Sequence, residues 1–358
     1  MKKLLVLTTA LTGFAVMAHA DEINVVSWGG AYSKSQNEAY AKPFTAKTGV
    51  KVNMIDADNP ATPIKAQVEA KNVTTDVADV EMSDAIRMCD EGLIVPIDPA
   101  TLPAAPDGTP ATKDFLPGAL GDCSVASIVF STAVGYDTTK FGANPPKTMA
   151  DFYDVAKFPG KRGMRKGAKV NLEMALMADG VKAADVYKVL ATPAGVDQAF
   201  KELDKIKKNV VWWDAGAQPP QLLADGEVSM TTAYNGRIFD AAVAENKPFK
   251  IMWDGQVLEY DLFVIPKGAP HMKNALEFLK FATSTQQLAD QAKWIAYGPA
   301  RKSSAALVGK YMDGKTDMAP NMPTNPANMT NAVVADSAFW ADHGTELEQR
   351  FNSWLAAN

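Results

Sequence analysis

The chain has 358 residues, of which 22% are charged, and a formal net charge of −5. Lysines and acidic residues are interspersed without a basic run, which argues against nucleic acid and anionic membranes as partners. A chain of this length is expected to need more than one hydrophobic core, so the sequence predicts two lobes.

The first twenty residues have the three parts of a secretory signal peptide. Two lysines precede an apolar stretch from Leu4 to about Val16, and an A-x-A sequence ends at Ala20. This pattern predicts export and a mature chain that begins at Asp21. The apolar stretch is short for a membrane span, and no later segment approaches about eighteen uninterrupted apolar residues.

The cysteine and histidine content bears on disulfide and metal chemistry. Cys89 and Cys123 are the only cysteines, and an even number in an exported protein favours a disulfide, with two buried free thiols as the alternative. Two cysteines and three histidines leave no cluster with the spacing of metal ligands. The sequence therefore predicts no metal site and no cofactor.

The mature chain opens with a predicted strand that ends in an aromatic and glycine motif. Residues 23–28 alternate and are β-branched, Gly29 and Gly30 follow, and a helical pattern runs over residues 35–45. Glycines after a strand allow the backbone to approach a ligand closely, and a helix start offers free N–H groups there. Trp28 and Tyr32 are therefore candidate ligand walls, with a place in the core as the alternative.

Strands and helices then alternate, which predicts crossover units and a mainly parallel sheet. Residues 49–55 and 79–82 are predicted strands, and residues 63–71 a helix. Ligands of such sheets lie at the carboxyl ends of the strands, where Ser83 and Asp84 fall. Asp84 is thus a candidate ligand residue, and helix capping is the alternative.

The middle of the chain repeats the first motif. The apolar strand of residues 124–134 is a place where the chain could cross into a second lobe, and residues 170–178 form a predicted buried helix. A strand that ends in Tyr234-Asn235-Gly236-Arg237 then runs into a predicted helix over residues 238–245. This motif makes Tyr234 and Arg237 candidate ligand residues from the second lobe.

One carboxylate opens the apolar run at residues 258–267. Asp261 precedes Leu262-Phe263-Val264-Ile265, and Pro266 and Gly268 end the run, which is typical of a buried strand. A buried strand rarely tolerates an unpaired charge, so Asp261 is either paired inside the protein or awaits a cation from solution. The aromatic candidates, joined by the later Tyr297, favour the second interpretation.

These motifs, taken in order, resemble those of a known family. Ser-Trp-Gly-Gly-x-Tyr, Ala-Tyr-Asn-Gly-Arg, Tyr-Asp-Leu-Phe-Val-Ile-Pro-Lys and Tyr-Gly-Pro follow a signal peptide. The assembly resembles the periplasmic solute-binding proteins of ABC importers, in the branch for spermidine, putrescine, other small amines and γ-aminobutyrate (GABA). The resemblance covers essentially the whole mature chain.

The resemblance implies an α/β, two-lobed periplasmic binding protein fold of type II, with a mainly parallel sheet flanked by helices in each lobe and crossed hinge connections. The implied lobes are residues 21–134 plus 258–303 and residues 135–257 plus 304–358, after the signal peptide of residues 1–20. We expect a monomer in the periplasm that binds a small amine between the lobes and delivers it to an inner-membrane ABC permease.

The family's aromatic box would fall on Trp28, Tyr32, Tyr234 and Tyr297, with Asp261 as the acid that binds the amine. The polyamine branch uses further acids near the start of the helix at residues 170–178. This chain has Arg165, Lys166 and Lys169 there instead, and only Glu173 within the helix. A basic residue at that place, or Arg237, could receive a carboxylate, as in a GABA-like ligand or a betaine.

Two other functions compete with an amine receptor. A receptor of the same fold for an anion or ferric iron would use arginines and helix ends, or tyrosines with carboxylates and a histidine. An exported hydrolase would need a nucleophile with a base, paired carboxylates or a metal, and no G-x-S-x-G or H-E-x-x-H sequence is present. The sequence therefore favours a receptor over an enzyme.

Overall fold

The structure is a computed structural model that describes residues 21–357, so the predicted signal peptide lies outside the described residues. Within this range eleven strands form one mixed sheet. The strands are β1 Glu22–Ser27, β2 Lys51–Asp56, β3 Val77–Glu81, β4 Leu120–Gly121, β5 Ser124–Asp137, β6 Arg162–Arg165, β7 Val210–Trp213, β8 Met230–Tyr234, β9 Phe249–Val264, β10 Gly298–Pro299 and β11 Val333–Val334.

Helices connect most of these strands. They are α1 Gly30–Gln36, α2 Lys42–Thr48, α3 Thr62–Glu69, α4 Met82–Asp90, α5 Ala111–Asp114, α6 Met149–Tyr153, α7 Asn171–Ala178, α8 Val186–Leu190, α9 Pro193–Ile206, α10 Gln218–Ala224, α11 Asn235–Val243, α12 Met272–Ala282, α13 Thr285–Gln291, α14 Lys302–Ala305 and α15 Ser337–Ala356. A π-helical turn, Asn37–Ala41, joins α1 to α2. No helix among the described residues has the length and apolar content needed to cross a membrane.

The sheet has parallel outer strands and a long antiparallel centre. The strand order is β2-β1-β3-β9-β5-β8-β6-β7. β2, β1 and β3 pair in parallel, as do β8, β6 and β7. The central strands β5 and β9 have 14 and 16 residues and pair antiparallel over most of their length. The predicted parallel units therefore flank one central pair of strands.

Two hydrophobic cores lie along this central pair. Core 1 takes its residues from 23–126 and 262–300 and packs around Phe44, Phe263 and Phe278. Core 2 takes its residues from 134–257 and 333–351. β5 and β9 contribute to both cores, so these two strands carry the chain from one core to the other.

The predicted strand at residues 258–267 is in the structure the second half of one longer strand, β9, whose first half is the apolar run of residues 249–252. The polar residues between the runs bind neighbouring loops. Asp254 accepts hydrogen bonds from the backbone N–H of Met149 and from Nδ2 of Asn331, at 2.8 and 2.9 Å. Gly255 has φ of +72°, and a Cβ there would lie 2.8 Å from the Met149 side chain. These contacts keep a polar, glycine-containing stretch inside the sheet.

The predicted disulfide between Cys89 and Cys123 is present in the structure. Cys89 lies in α4, and Cys123 lies in the turn before β5, with 5.8 Å between their Cα atoms. The bond therefore ties the helix after β3 to the start of a central strand.

We expect that replacing Cys89 and Cys123 together by alanine lowers the free energy of unfolding by about 3–4 kcal/mol, because the unfolded chain regains the entropy of a loop of this length. Urea unfolding of the oxidised protein and the variant measures the loss. Reduced wild-type protein is the matched control and should unfold at the same urea concentration as the variant. An unchanged unfolding midpoint in the variant would contradict this account.

Candidate functional site

The structure brings six of the seven predicted ligand residues to one narrow cavity. The space within it that a water-sized molecule can occupy is about 10 Å³. The lining residues are Trp28, Tyr32, Glu81, Phe130, Tyr234, Arg237, Asp261 and Tyr297. Asp84, the seventh, lies outside this cavity: it is in α4, where its carboxylate pairs with Arg87, and it lines a neighbouring groove.

The aromatic side chains reach the cavity from the ends of strands. Trp28 follows β1, Tyr234 ends β8 and Tyr297 precedes β10. The rings of Tyr297 and Tyr234 pack edge to face with two neighbours: the ring centroid of Tyr32 lies 5.4 Å from that of Tyr297, and the centroid of Phe130 of β5 lies 5.4 Å from that of Tyr234. This packing fixes the rings, so the cavity has rigid aromatic walls.

The two glycines after β1 are required by a close approach. Gly29 and Gly30 have φ of +70° and +59°, in the left-handed region that favours glycine. A Cβ at Gly30 would lie 2.8 Å from Nη1 of Arg237. The turn therefore lets the guanidinium of Arg237 reach the backbone beside Trp28.

Asp261 is a buried carboxylate without a cationic partner. The residue is 5% exposed and forms no ion pair with the described residues, and its Oδ1 has no hydrogen-bond partner among them. Burial raises the pKa of Asp261 well above its usual range, and the carboxylates of Asp79 and Glu81 raise it further. The structure therefore agrees with the interpretation in which Asp261 has no cationic partner inside the protein.

Four acids lie on one face of two neighbouring strands. Asp79 and Glu81 are two residues apart in β3, Glu259 and Asp261 are two residues apart in β9, and Glu81 pairs with Asp261 across the strands. Side chains at this spacing share a face of the sheet. Burial raises the pKa of Asp79 and of Glu259 to about 7 each. The face therefore combines four acids whose negative charge is limited by proton uptake near neutral pH.

Two basic side chains neutralise part of that charge. Arg165, at the end of β6, donates to Glu81 at 2.9 Å. Lys169 lies 3.0 Å from Glu81 and also pairs with Glu259. Burial alone would raise the pKa of Glu81, but Lys169 and Arg165 together lower it to about 2. Glu81 is thus a stable anion, whereas Asp261 is not paired.

Arg237 holds the turn after β1 and keeps one unused donor. Its Nη1 donates to the carbonyl oxygen of Gly29 at 3.1 Å, and its Nη2 donates to that of Trp28 at 2.9 Å. Its Nε is buried without a hydrogen-bond partner among the described residues, as is Nε1 of Trp28. The cavity therefore contains two unpaired donors in addition to the unpaired acceptor of Asp261.

A larger polar groove adjoins the cavity. The space in it that water-sized molecules can occupy is about 530 Å³, and its lining residues include Glu81, Asp84, Arg165, Lys169 and Glu348. Glu81 borders both spaces. Within residues 21–357 no group of three or more His, Cys, Asp or Glu side chains is arranged to hold a metal ion.

Sequence reasoning missed three side chains of the site: Glu81, Phe130 and the ion-paired Glu259. The sequence did contain one signal for the two acids. Asp79 and Glu81 are two residues apart in one apolar strand, and Glu259 and Asp261 are two residues apart in another. That spacing indicates a shared face. Phe130 carries no comparable signal, since it is one of many apolar residues in β5.

Comparison with known proteins agrees with this architecture. Residues 39–324 match the family model for bacterial extracellular solute-binding proteins. The gamma-aminobutyric acid-binding protein of Pseudomonas aeruginosa is 45% identical over 342 residues, which cover 96% of this chain and 93% of the relative. The chain therefore belongs to the bacterial extracellular solute-binding protein family.

Solved structures of similar proteins confirm the predicted type II periplasmic binding protein fold. The GABA receptor Atu4243 is 34% identical, with a TM-score of 0.79 and 94% of this chain and 98% of that chain covered. An ABC transporter substrate-binding protein from Bradyrhizobium japonicum USDA 110 is 32% identical, with a TM-score of 0.82 and 93% and 99% covered. The family consists of solute-binding proteins of transport systems.

The surroundings of Asp261 give a prediction for the ligand-free protein. An acid whose pKa is higher in the folded protein than in the unfolded chain binds its proton more tightly in the folded protein. Proton binding by such an acid stabilises the folded protein fully at pH values below the pKa of the unfolded chain, and this stabilisation is lost as the pH rises through the pKa of the folded protein. We therefore expect Asp261→Asn to gain stability relative to the wild type as pH rises, by up to about 1.4 kcal/mol per pH unit while Asp261 titrates.

Urea unfolding of both proteins between acid and weakly alkaline pH measures this difference. Asp342→Asn is the matched control, because it makes the same substitution at an exposed position of α15 away from the cavity, and its unfolding should follow that of the wild type. A difference between Asp261→Asn and wild type that stays constant with pH would contradict the expected titration of Asp261.

Proposed function

We propose that this protein is the periplasmic receptor of an ABC importer for GABA or a closely similar ω-amino acid. Asp261 binds the ammonium group of the ligand, and the unpaired donors of Arg237 and Trp28 bind its carboxylate. One observation carries the proposal: a single aromatic cavity contains a buried acceptor and two buried donors that all lack partners. Unpaired buried polar groups are costly, and a zwitterion supplies both kinds of missing partner.

The cavity is nearly closed in this structure. Its space is about 10 Å³, enough for about one water molecule, so a ligand of the proposed class enters only when the lobes move apart. Micromolar binding requires about −8 kcal/mol, and the best small ligands reach about −1.5 kcal/mol per non-hydrogen atom. A ligand of about seven such atoms must therefore be contacted on nearly all sides, which requires the two lobes to close around it.

The relatives support the same ligand class. The curated relative binds GABA by name, and so does one of the two solved relatives. A diamine is less well matched by the charges, because Glu81 and Glu259 are already held by Arg165 and Lys169. An anion alone would leave Asp261 unpaired, and the described residues offer ferric iron no group of three or more His, Cys, Asp or Glu side chains.

The cellular setting of the proposal follows from the family. Residues 1–20 direct export, and the mature monomer works in the periplasm and delivers its ligand to an inner-membrane permease. Residues 21–134 with 258–303 form one lobe and residues 135–257 with 304–358 the other, with the hinge in β5 and β9. The division is supported by the two hydrophobic cores, which draw their residues from nearly the same segments.

The ligand is tested by titration calorimetry with GABA, butyrate, 1-aminobutane and 1,4-diaminobutane. We expect GABA to bind most tightly, because butyrate lacks the ammonium group and 1-aminobutane lacks the carboxylate. Asp261→Asn should lower the affinity for GABA at least tenfold, or about 1.4 kcal/mol. Asp342→Asn again serves as the control and should bind as the wild type does. Unchanged GABA affinity in Asp261→Asn would sink the assignment of the ammonium site.

The carboxylate site is tested with Arg237→Lys, which keeps the charge and removes the Nε donor. We expect the affinity for GABA to fall at least tenfold, and the affinity for 1-aminobutane, which has no carboxylate, to fall much less. The ratio of the two affinities separates carboxylate binding from support of the turn beside Trp28. Equal losses for both ligands would show that Arg237 only positions that turn.

A further inference from the structure

Arg165 occupies a place beside the cavity that would suit a ligand's second cation. The Cζ atom of its guanidinium lies 5.8 Å from the ring centroid of Trp28 and 5.9 Å from that of Tyr234. Both rings line the cavity, and both distances are within the range of cation–π attraction. The same guanidinium pairs with Glu81, a third residue of the cavity wall. Two aromatic faces and a carboxylate thus surround a cation that belongs to the protein itself.

The local charge count leaves room for one further cation. Of the four acids on this face, Glu81 and Asp261 line the cavity. Asp79 lies behind them and accepts a hydrogen bond from Gln36, and Glu259 pairs with Lys169. Arg165 and Lys169 supply two positive charges, and their ion pairs are with Glu81 and Glu259. Asp261 is the carboxylate that remains unpaired. A ligand with a single ammonium group balances the site, and a second ammonium group would have no free carboxylate.

Arg165 also stands between two spaces. It contacts two rings and one acid of the narrow cavity, and it lines the adjoining polar groove of about 530 Å³. Glu81 borders the cavity and the groove alike. Removal of the Arg165 side chain would therefore extend the cavity toward the groove along the carboxylate of Glu81.

We propose that Arg165 is the specificity-determining residue that makes the receptor reject diamines, because its guanidinium occupies the second ammonium position against Glu81, Trp28 and Tyr234. The inference rests on the proposed function in one respect, that Asp261 is the ammonium site. Selectivity against the diamine then comes from the Arg165 side chain, which repels a second ammonium group and fills its space, and not from a lack of acids in the cavity. Glu81 is the second acid of a diamine site that the protein itself has filled.

The test is the affinity of Arg165→Ala for 1,4-diaminobutane, measured by titration calorimetry beside the wild type. The expected result is a gain of at least tenfold, while the affinity for 1-aminobutane changes by less than about threefold. The double variant Arg165→Ala/Glu81→Gln has the same added space but no second carboxylate, and it should not show the gain. Lys166→Ala removes an exposed positive charge from the same loop and should bind the diamine as the wild type does.

Each outcome of these titrations either supports or overturns the proposed role of Arg165. The absence of a gain in Arg165→Ala, an equal gain in the double variant, or an equal gain in Lys166→Ala overturns the proposal. Should Arg165→Ala fail to fold, Arg165→Gln keeps a hydrogen-bond donor toward Glu81 without the charge, and the same comparison is made with it. Titration of the wild type with GABA reports separately on the proposed function, since it does not involve the diamine.

Discussion

A carboxylate withdrawn from water without a partner is the constraint on which the binding site depends. Asp261 is 5% exposed, and its Oδ1 has no hydrogen-bond partner among the described residues. Ionising it there is costly, and the neighbouring acids Asp79 and Glu81 add repulsion, so the raised pKa of Asp261 means that its carboxyl keeps the proton to higher pH than usual. A bound ammonium group supplies the missing opposite charge and favours the carboxylate form. Ligand binding and ionisation of Asp261 are therefore coupled.

The two central strands place this carboxylate where it can respond to closure. In β9, Val257 packs in core 2 and Leu262 in core 1, so Asp261 lies at the passage between the cores. The aromatic walls come from both sides of that passage: Trp28 follows a strand that packs on core 1, and Tyr234 ends a strand that pairs with the core 2 half of β5. A ligand that contacts all three residues holds both halves of the protein together.

Local patterns in the sequence could predict the parts of this site but not their electrostatic balance. Trp28, Tyr234 and Arg237 were found because an aromatic residue, a glycine and a helix start follow one another along the chain. Whether Asp261 is paired depends on side chains about ninety to one hundred and eighty residues away, and no periodicity in the sequence encodes such contacts. The continuity of β9 was missed for the same reason: the partners of Asp254 are Met149 and Asn331.

The paired acids explain how one scaffold can serve different small amines. For a diamine to use Glu81, it must displace Arg165, and breaking a buried ion pair costs about 3–5 kcal/mol. The Arg165 side chain is 25% exposed, so breaking its ion pair with Glu81 costs an amount near or below the lower end of that range. About 2–3 kcal/mol still corresponds to a preference of about 30-fold to 150-fold. Selectivity of this kind is set by an ion pair that exists before the ligand arrives, so a single substitution can change it while the aromatic cavity and Asp261 stay in place.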